Sequence, residues 1–137
     1  MRKILVGAAA AMAALASFSV PAAAADTPAA GIWRNPKNTV HVKLQPCGGT
    51  VCGTVVWAAP KAQAAAREGG TSKLVGTQLF REFRQVRPGE WKGRVFVPDL
   101  GRTFTGTMNA QGPGKIVGRG CLIGGLLCKS QTWTRIG

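Results

Sequence analysis

From residue 31 to the C-terminus, apolar and polar side chains alternate in short runs, and Gly, Pro, Asn or Asp closes each run. A period of two is the signature of strands with one buried face. Eight strands are predicted, at about 31–35, 38–46, 51–58, 77–85, 91–97, 102–109, 115–122 and 127–136. Most breaks between them are tight turns, such as Arg87-Pro88-Gly89-Glu90, Pro98-Asp99-Leu100-Gly101 and Gln111-Gly112-Pro113-Gly114. Their Pro and Gly supply the dihedrals a reversal needs, so consecutive strands are expected to pair antiparallel. Glycine shares a face with bulky residues in Trp91, Gly93, Val95 and Val97, and again in Phe104, Gly106 and Met108. Such mixing lets a sheet coil sharply, and closing the sheet on itself removes its exposed edges. The expected architecture is all-β, a single antiparallel meander of roughly eight strands closing into a small barrel.

Two stretches break this pattern. In the fourth strand Leu79, Phe80, Arg81, Glu82 and Phe83 put charges on both faces, which strict alternation does not explain. The segment from Ala59 to Ser72 begins with Pro60, continues through alanines and stops at Gly69-Gly70. Proline at the start and glycine after the end fit one or two helical turns near residues 60–69. The segment reads either as a flap over one barrel mouth or as a surface loop.

The four cysteines add a constraint on register. Spacing alone leaves three pairings open, and zinc is the rival use, although Cys-x4-Cys and Cys-x6-Cys are loose for a zinc ribbon. If strands two and three reverse at Gly49-Thr50, Cys47 faces Cys52, Leu44 faces Val55 and Val42 faces Trp57. Lys43 and His41 then share the opposite, polar face with the cysteines. If the last two strands reverse at Gly124-Gly125, Cys121 faces Cys128, Ile116 faces Trp133 and Leu122 faces Leu127. Both hairpins put apolar partners on one face, so the expected disulfides are Cys47 with Cys52 and Cys121 with Cys128.

Upstream of the barrel pattern the chain has a different composition. Arg2 and Lys3, the apolar run from Ile4 to Val20, and the small residues Ala23 and Ala25 are the three parts of a secretory signal over residues 1–25. Cleavage near Ala25 leaves 112 of the 137 residues, a length for one domain, 26–137. Two of the 18 Lys and Arg leave with the leader and 5 acidic residues oppose the rest, so the net charge is +11. A field of that size favours anionic partners such as lipid head groups, lipopolysaccharide phosphates or acidic glycans. It also serves plain solubility. The expected location is periplasmic or secreted, where thiols oxidise readily and nucleic acid is not an expected partner. No later run is long and apolar enough to span a bilayer as a helix.

These residues carry a resemblance. Gly31-Ile32-Trp33, Cys47-Gly48, Val51-Cys52-Gly53, Val55-Val56-Trp57, Trp91-Lys92-Gly93, Pro98-Asp99 with Gly101, Phe104-Thr105-Gly106, Gly120-Cys121 and Cys128 before Trp133-Thr134-Arg135 resemble the bacterial exported proteins grouped as domain of unknown function 2147. The likeness covers nearly all of residues 26–137. Phe104 departs from it, standing where the family has tyrosine. The resemblance implies an envelope protein and carries over no catalytic residue. A second likeness is to lipocalin-type barrels, in which the tryptophan of an opening Gly-x-Trp packs under an arginine near the end of the last strand. Here these are Trp33 and Arg135. The alternatives are a plain core aromatic and a solvated terminal charge.

Few residues offer chemistry. His41 is the only histidine, beside Lys43 on the polar face. The acids Asp26, Glu68, Glu90 and Asp99 fall in turns, at the helix end or at the new amino terminus, leaving Glu82 without a partner carboxylate. Ser72 and Ser130 stand in no nucleophile motif. No enzyme activity, cofactor or metal is expected. Arg81, Arg84, Arg87, Lys92 and Arg94 surround one hairpin with Phe80, Phe83 and Trp91 interleaved. Read as a patch, Arg81, Arg84, Arg87, Trp91, Lys92 and Arg94 suit an acidic amphiphile or single-stranded nucleic acid. In a barrel, the aromatics instead point inward. The function expected is a non-enzymatic periplasmic barrel binding an apolar or amphipathic envelope component. The alternative is a cationic structural or interaction module that docks on anionic envelope polymers or lipid head groups.

Overall fold

Each predicted alternating run forms a strand whose ends lie within two residues of the expected ones: β1 (Gly31–Arg34), β2 (Val40–Cys47), β3 (Thr50–Ala58), β4 (Gln78–Arg87), β5 (Glu90–Val97), β6 (Arg102–Gln111), β7 (Lys115–Cys121) and β8 (Cys128–Arg135). The structure is a computed structural model and describes residues 13–16, 29–121 and 127–137. Most of the expected leader, the Gly124-Gly125 reversal and Leu122 lie outside the described residues. Each strand pairs antiparallel with the next, and β8 returns to β1 to close an eight-stranded barrel. One end of the barrel carries residues 35–39, 59–77 and 98–101, the end of β7 and Leu127 before β8, and is here the helix end. The other, terminal end carries residues 29–30, the turns at 48–49, 88–89 and 112–114, and the C-terminus.

The inward faces meet in one core. Trp33, Val42, Leu44, Val55, Phe80, Phe83, Trp91, Met108, Ile116 and Trp133 are all buried. Phe80 meets the rings of Phe83 and Trp133 edge-on at centroid distances of 5.8 and 5.4 Å, a favoured arrangement for aromatic pairs. Glycine makes room for these side chains. Gly93 and Gly106 are direct cross-strand partners, and a Cβ on Gly93 would fall 2.7 Å from the Phe83 ring while one on Gly106 would fall 2.5 Å from Val95 Cγ2. Among the described residues, a void lined by Trp33, Leu44, Phe80, Met108, Ile116 and Trp133 measures about 10 Å³. That is room for about one water molecule, so the interior is a packed core.

The irregular fourth strand is explained by a bulge. Glu82 has φ 54°, and the β4–β5 pairing slips between Arg81 and Arg84. The extra residue resets the alternation, so both Phe80 and Phe83 point into the core. A second bulge overturns an expectation. Val42 lies opposite Val55 but His41 lies opposite Trp57, leaving Val56 as the extra residue of β3. Trp57 therefore turns outward, where 43% of it is exposed, and Ala58 takes the inward place. The expected pairing of Trp57 with Val42 on the apolar face is thereby corrected.

The β2–β3 turn is corrected too. It falls at Gly48-Gly49, with Cys47 opposite Thr50 and Leu44 opposite Gly53, because Gly48 takes the left-handed φ of 67° that a tight reversal asks of glycine. A slip of two residues preserves the faces, and Cys47 reaches Cys52 diagonally across a Cα separation of 5.8 Å to form the expected disulfide. In the last hairpin the expected register holds, with Ile116 opposite Trp133 and Cys121 opposite Cys128, the latter pair bonded. The insertion forms helix α1 (Pro60–Glu68), nine residues long with Pro in its first turn. The Ala59 amide donates to the Thr39 carbonyl, and the Thr71 hydroxyl donates to the Pro98 carbonyl at 3.0 Å. The helix thus bridges β3 and the β5–β6 turn along the rim, which resolves the flap and loop alternatives into a tethered rim helix.

Replacing Glu82 by glycine relieves a left-handed side chain, and urea unfolding is expected to show a gain of about 0.5–1 kcal/mol. Deleting Glu82 removes the bulge but leaves Phe80 and Phe83 two positions apart on one face of a regular strand, and the same measurement is expected to retain a single cooperative transition.

Candidate functional site

At the terminal end the first and last strands lock together. The Arg135 guanidinium lies over the Trp33 ring at 4.6 Å. Its Nη1 donates to the Ala30 carbonyl at 2.6 Å and its Nε to the Pro113 carbonyl at 2.8 Å. Trp33 Nε1 donates to the Ala29 carbonyl at 2.7 Å, so the buried indole has its partner. Gly31 has φ 137°, and a Cβ there would collide with Arg135 Nη1. The Gly-x-Trp opening is therefore a steric requirement of the arginine that lies across it. Of the alternatives posed by the sequence, the packed Trp33–Arg135 pair is the one present.

The basic hairpin divides into groups with different fates. Trp91 is buried, because the alternation that sends Lys92 and Arg94 outward sends it inward. Its inclusion in a binding patch is corrected. Arg87 sits at the β4–β5 turn and pairs with Glu90 at 3.2 Å. The other four cations face one another directly across the ladder, Arg81 opposite Arg94 and Arg84 opposite Lys92. Like charges in that relation oppose folding. The opposition is partly offset where Arg94 lies 3.8 Å from Glu82 and Arg81 lies 4.5 Å over the Phe96 ring.

Arg119 extends this surface. The ladder runs from Lys92 to Thr107 and from Thr107 to Arg119, so Arg119 projects from the same outer face about 10 Å away, two strand spacings. Sequence reading missed it because it belongs to another hairpin. Outward alternation along β5, β6 and β7 was the signal that places it there. The result is a cationic face across β4–β7, formed by Arg81, Arg84, Lys92, Arg94 and Arg119.

The residues considered for chemistry lie apart. His41 Nε2 lies 2.7 Å from the Asn38 side-chain oxygen, and its ring stands 4.5 Å from that of Trp57. Glu82 is on the β4 bulge, Glu68 ends α1, Glu90 opens β5, and Asp99 is in the β5–β6 turn. Among the described residues no three His, Cys, Asp or Glu side chains group as metal ligands would, and no helix is long and apolar enough to cross a membrane.

Comparison with known proteins supplies a context. The sequence profile of the bacterial family described as "Uncharacterized protein conserved in bacteria (DUF2147)" matches residues 31–135. No curated protein matches the chain. The fold is similar to that of protein HP1028 from the human pathogen Helicobacter pylori, described as belonging to the lipocalin family. The TM-score is 0.61 at 14% identity, covering 79% of this chain and 82% of that one. At that identity the likeness is one of fold.

Arg135→Ala is expected to lower the unfolding free energy by about 2 kcal/mol in a denaturant titration, from the lost stacking and charged hydrogen bonds. Arg135→Lys should recover less than half of this, because an ammonium cannot lie flat on the indole while reaching two carbonyls.

Proposed function

The chain belongs to the bacterial family DUF2147, and on that footing we propose that it is an exported, non-enzymatic interaction module that docks on anionic envelope polymers through the outer face of β4–β7. Export to the periplasm is supported by the signal pattern of residues 1–25 and by two disulfides. The observation that carries the docking reading is the pair of cross-strand like charges, Arg81 with Arg94 and Arg84 with Lys92. A sheet selected for stability alone has every reason to alternate sign at those positions. A polyanion laid across the strands neutralises both pairs at once and turns their repulsion into binding free energy.

The packed interior bears on the choice of site. A lipid or other amphipathic cargo held inside the barrel requires hundreds of cubic ångströms, whereas the void between Trp33, Phe80 and Trp133 is about 10 Å³. Admitting cargo means displacing the aromatic core that holds the barrel together. The outer face asks for no such rearrangement.

Retention on heparin–agarose, used as a polyanion probe, provides the test. The mature protein is expected to elute at higher salt than the Arg84→Glu/Lys92→Glu variant, with about a tenfold loss of affinity in the variant. Equal elution of the two proteins would remove the β4–β7 face as the docking site. Native mass spectrometry is expected to give the mass of the polypeptide alone, and a co-purified small molecule would restore the cargo reading.

A further inference from the structure

The large apolar side chains exposed on the barrel gather mostly at the helix end, while the terminal end exposes Val86 (50%) and Ile136 (47%). At the helix end Leu127 is 72% exposed, Leu100 56%, and Val56 and Trp57 43% each. Their places follow from the chain path. Trp57 is the penultimate residue of β3, Leu100 lies in the β5–β6 turn, and Leu127 immediately precedes β8. In the closed strand order these are three separated stations round the ring. Three such points define a plane across the end of the barrel. The supports beneath them are specific. Cys121–Cys128 pins the arms on either side of Leu127's connection, the Thr71 hydroxyl holds the Leu100 turn through the Pro98 carbonyl, and the Val56 bulge turns Trp57 outward.

The same end carries a collar of charge. Lys37, Lys61, Arg67, Lys73, Arg102 and Lys129 are all exposed there. Glu68 and Asp99 are the acids opposing them. Apolar tips inside a cationic collar match one surface closely, a bilayer with anionic head groups. Leucine enters the acyl boundary, an indole rests at the interface, and lysine and arginine meet the phosphates. A water-soluble polyanion offers nothing to the leucines, and a second copy of this chain brings the same positive collar against itself.

We propose that the helix end docks on anionic phospholipid bilayers, with Trp57, Leu100 and Leu127 entering the interface and the collar contacting head-group phosphates. This surface is separate from the β4–β7 face, and the inference does not rest on the polymer reading. The molecule carries its own reporter, because Trp33 and Trp91 are each 1% exposed and Trp133 is 7%, leaving Trp57 as the accessible indole.

The test uses vesicles of phosphatidylglycerol and phosphatidylcholine against vesicles of phosphatidylcholine alone. With the anionic vesicles, the mature protein is expected to co-sediment, its tryptophan emission to shift blue, and acrylamide quenching to fall. Trp57→Phe should abolish the fluorescence change while co-sedimentation persists. Leu100→Glu/Leu127→Glu is expected to bind at least tenfold more weakly with an unchanged thermal midpoint, since both positions are exposed. Arg84→Glu/Lys92→Glu should bind vesicles as the unaltered protein does, which separates this surface from the polymer site. Binding that survives the double leucine substitution, binding lost in the Arg84/Lys92 variant, or no preference for the anionic vesicles would each overturn the proposal.

Discussion

The barrel depends on how its two ends of chain are joined. β1 meets β8 through only two residue pairs, Trp33 with Arg135 and Arg34 with Thr134, fewer than any hairpin in the ring supplies. The Arg135 guanidinium strengthens that short seam by covering the Trp33 indole and binding the Ala30 and Pro113 carbonyls. It thereby ties the approach to β1, the last strand and the β6–β7 turn into one knot. Backbone bonds from Ile136 and Gly137 to Ile32 continue the seam past the last strand. Without closure, β1 and β8 are exposed edges and the apolar inner faces have nothing to meet.

Closure in turn determines what the inside can be. A ring of eight short strands encloses little space, and three of the four tryptophans are buried in it. Phe83 fits only because Gly93 offers no Cβ, and Val95 only because Gly106 offers none. On the outside, two chemically distinct surfaces lie apart. The β4–β7 wall is cationic, with like charges held in register by the ladder, whereas the helix end combines apolar tips with a basic collar. A wall of charge suits a hydrated polymer, and charge around apolar points suits an interface between water and lipid.

Much of this was legible along the chain because it is local. Alternation named eight strands, glycine and proline named the turns, and the shared face of Ile116 with Trp133 gave the last hairpin its register. The pairing of Cys121 with Cys128 followed from it. Proline and two glycines marked the helix of the insertion, because its start and stop are set by backbone chemistry within a few residues.

What the tertiary structure alone decided concerns phase and assembly between hairpins. The residues Leu79 to Phe83 cannot reveal that Glu82 adopts a left-handed conformation, since that strain persists only because two phenylalanines gain a place in the core. Val56 likewise looks like any β-branched strand residue, yet as a bulge it sends Trp57 to the surface. Arg119 joins Lys92 only through the intervening register of β6. Local pattern states which side chains avoid water, while the barrel decides which positions face inward, because shape and volume are properties of the closed ring and not of any one strand.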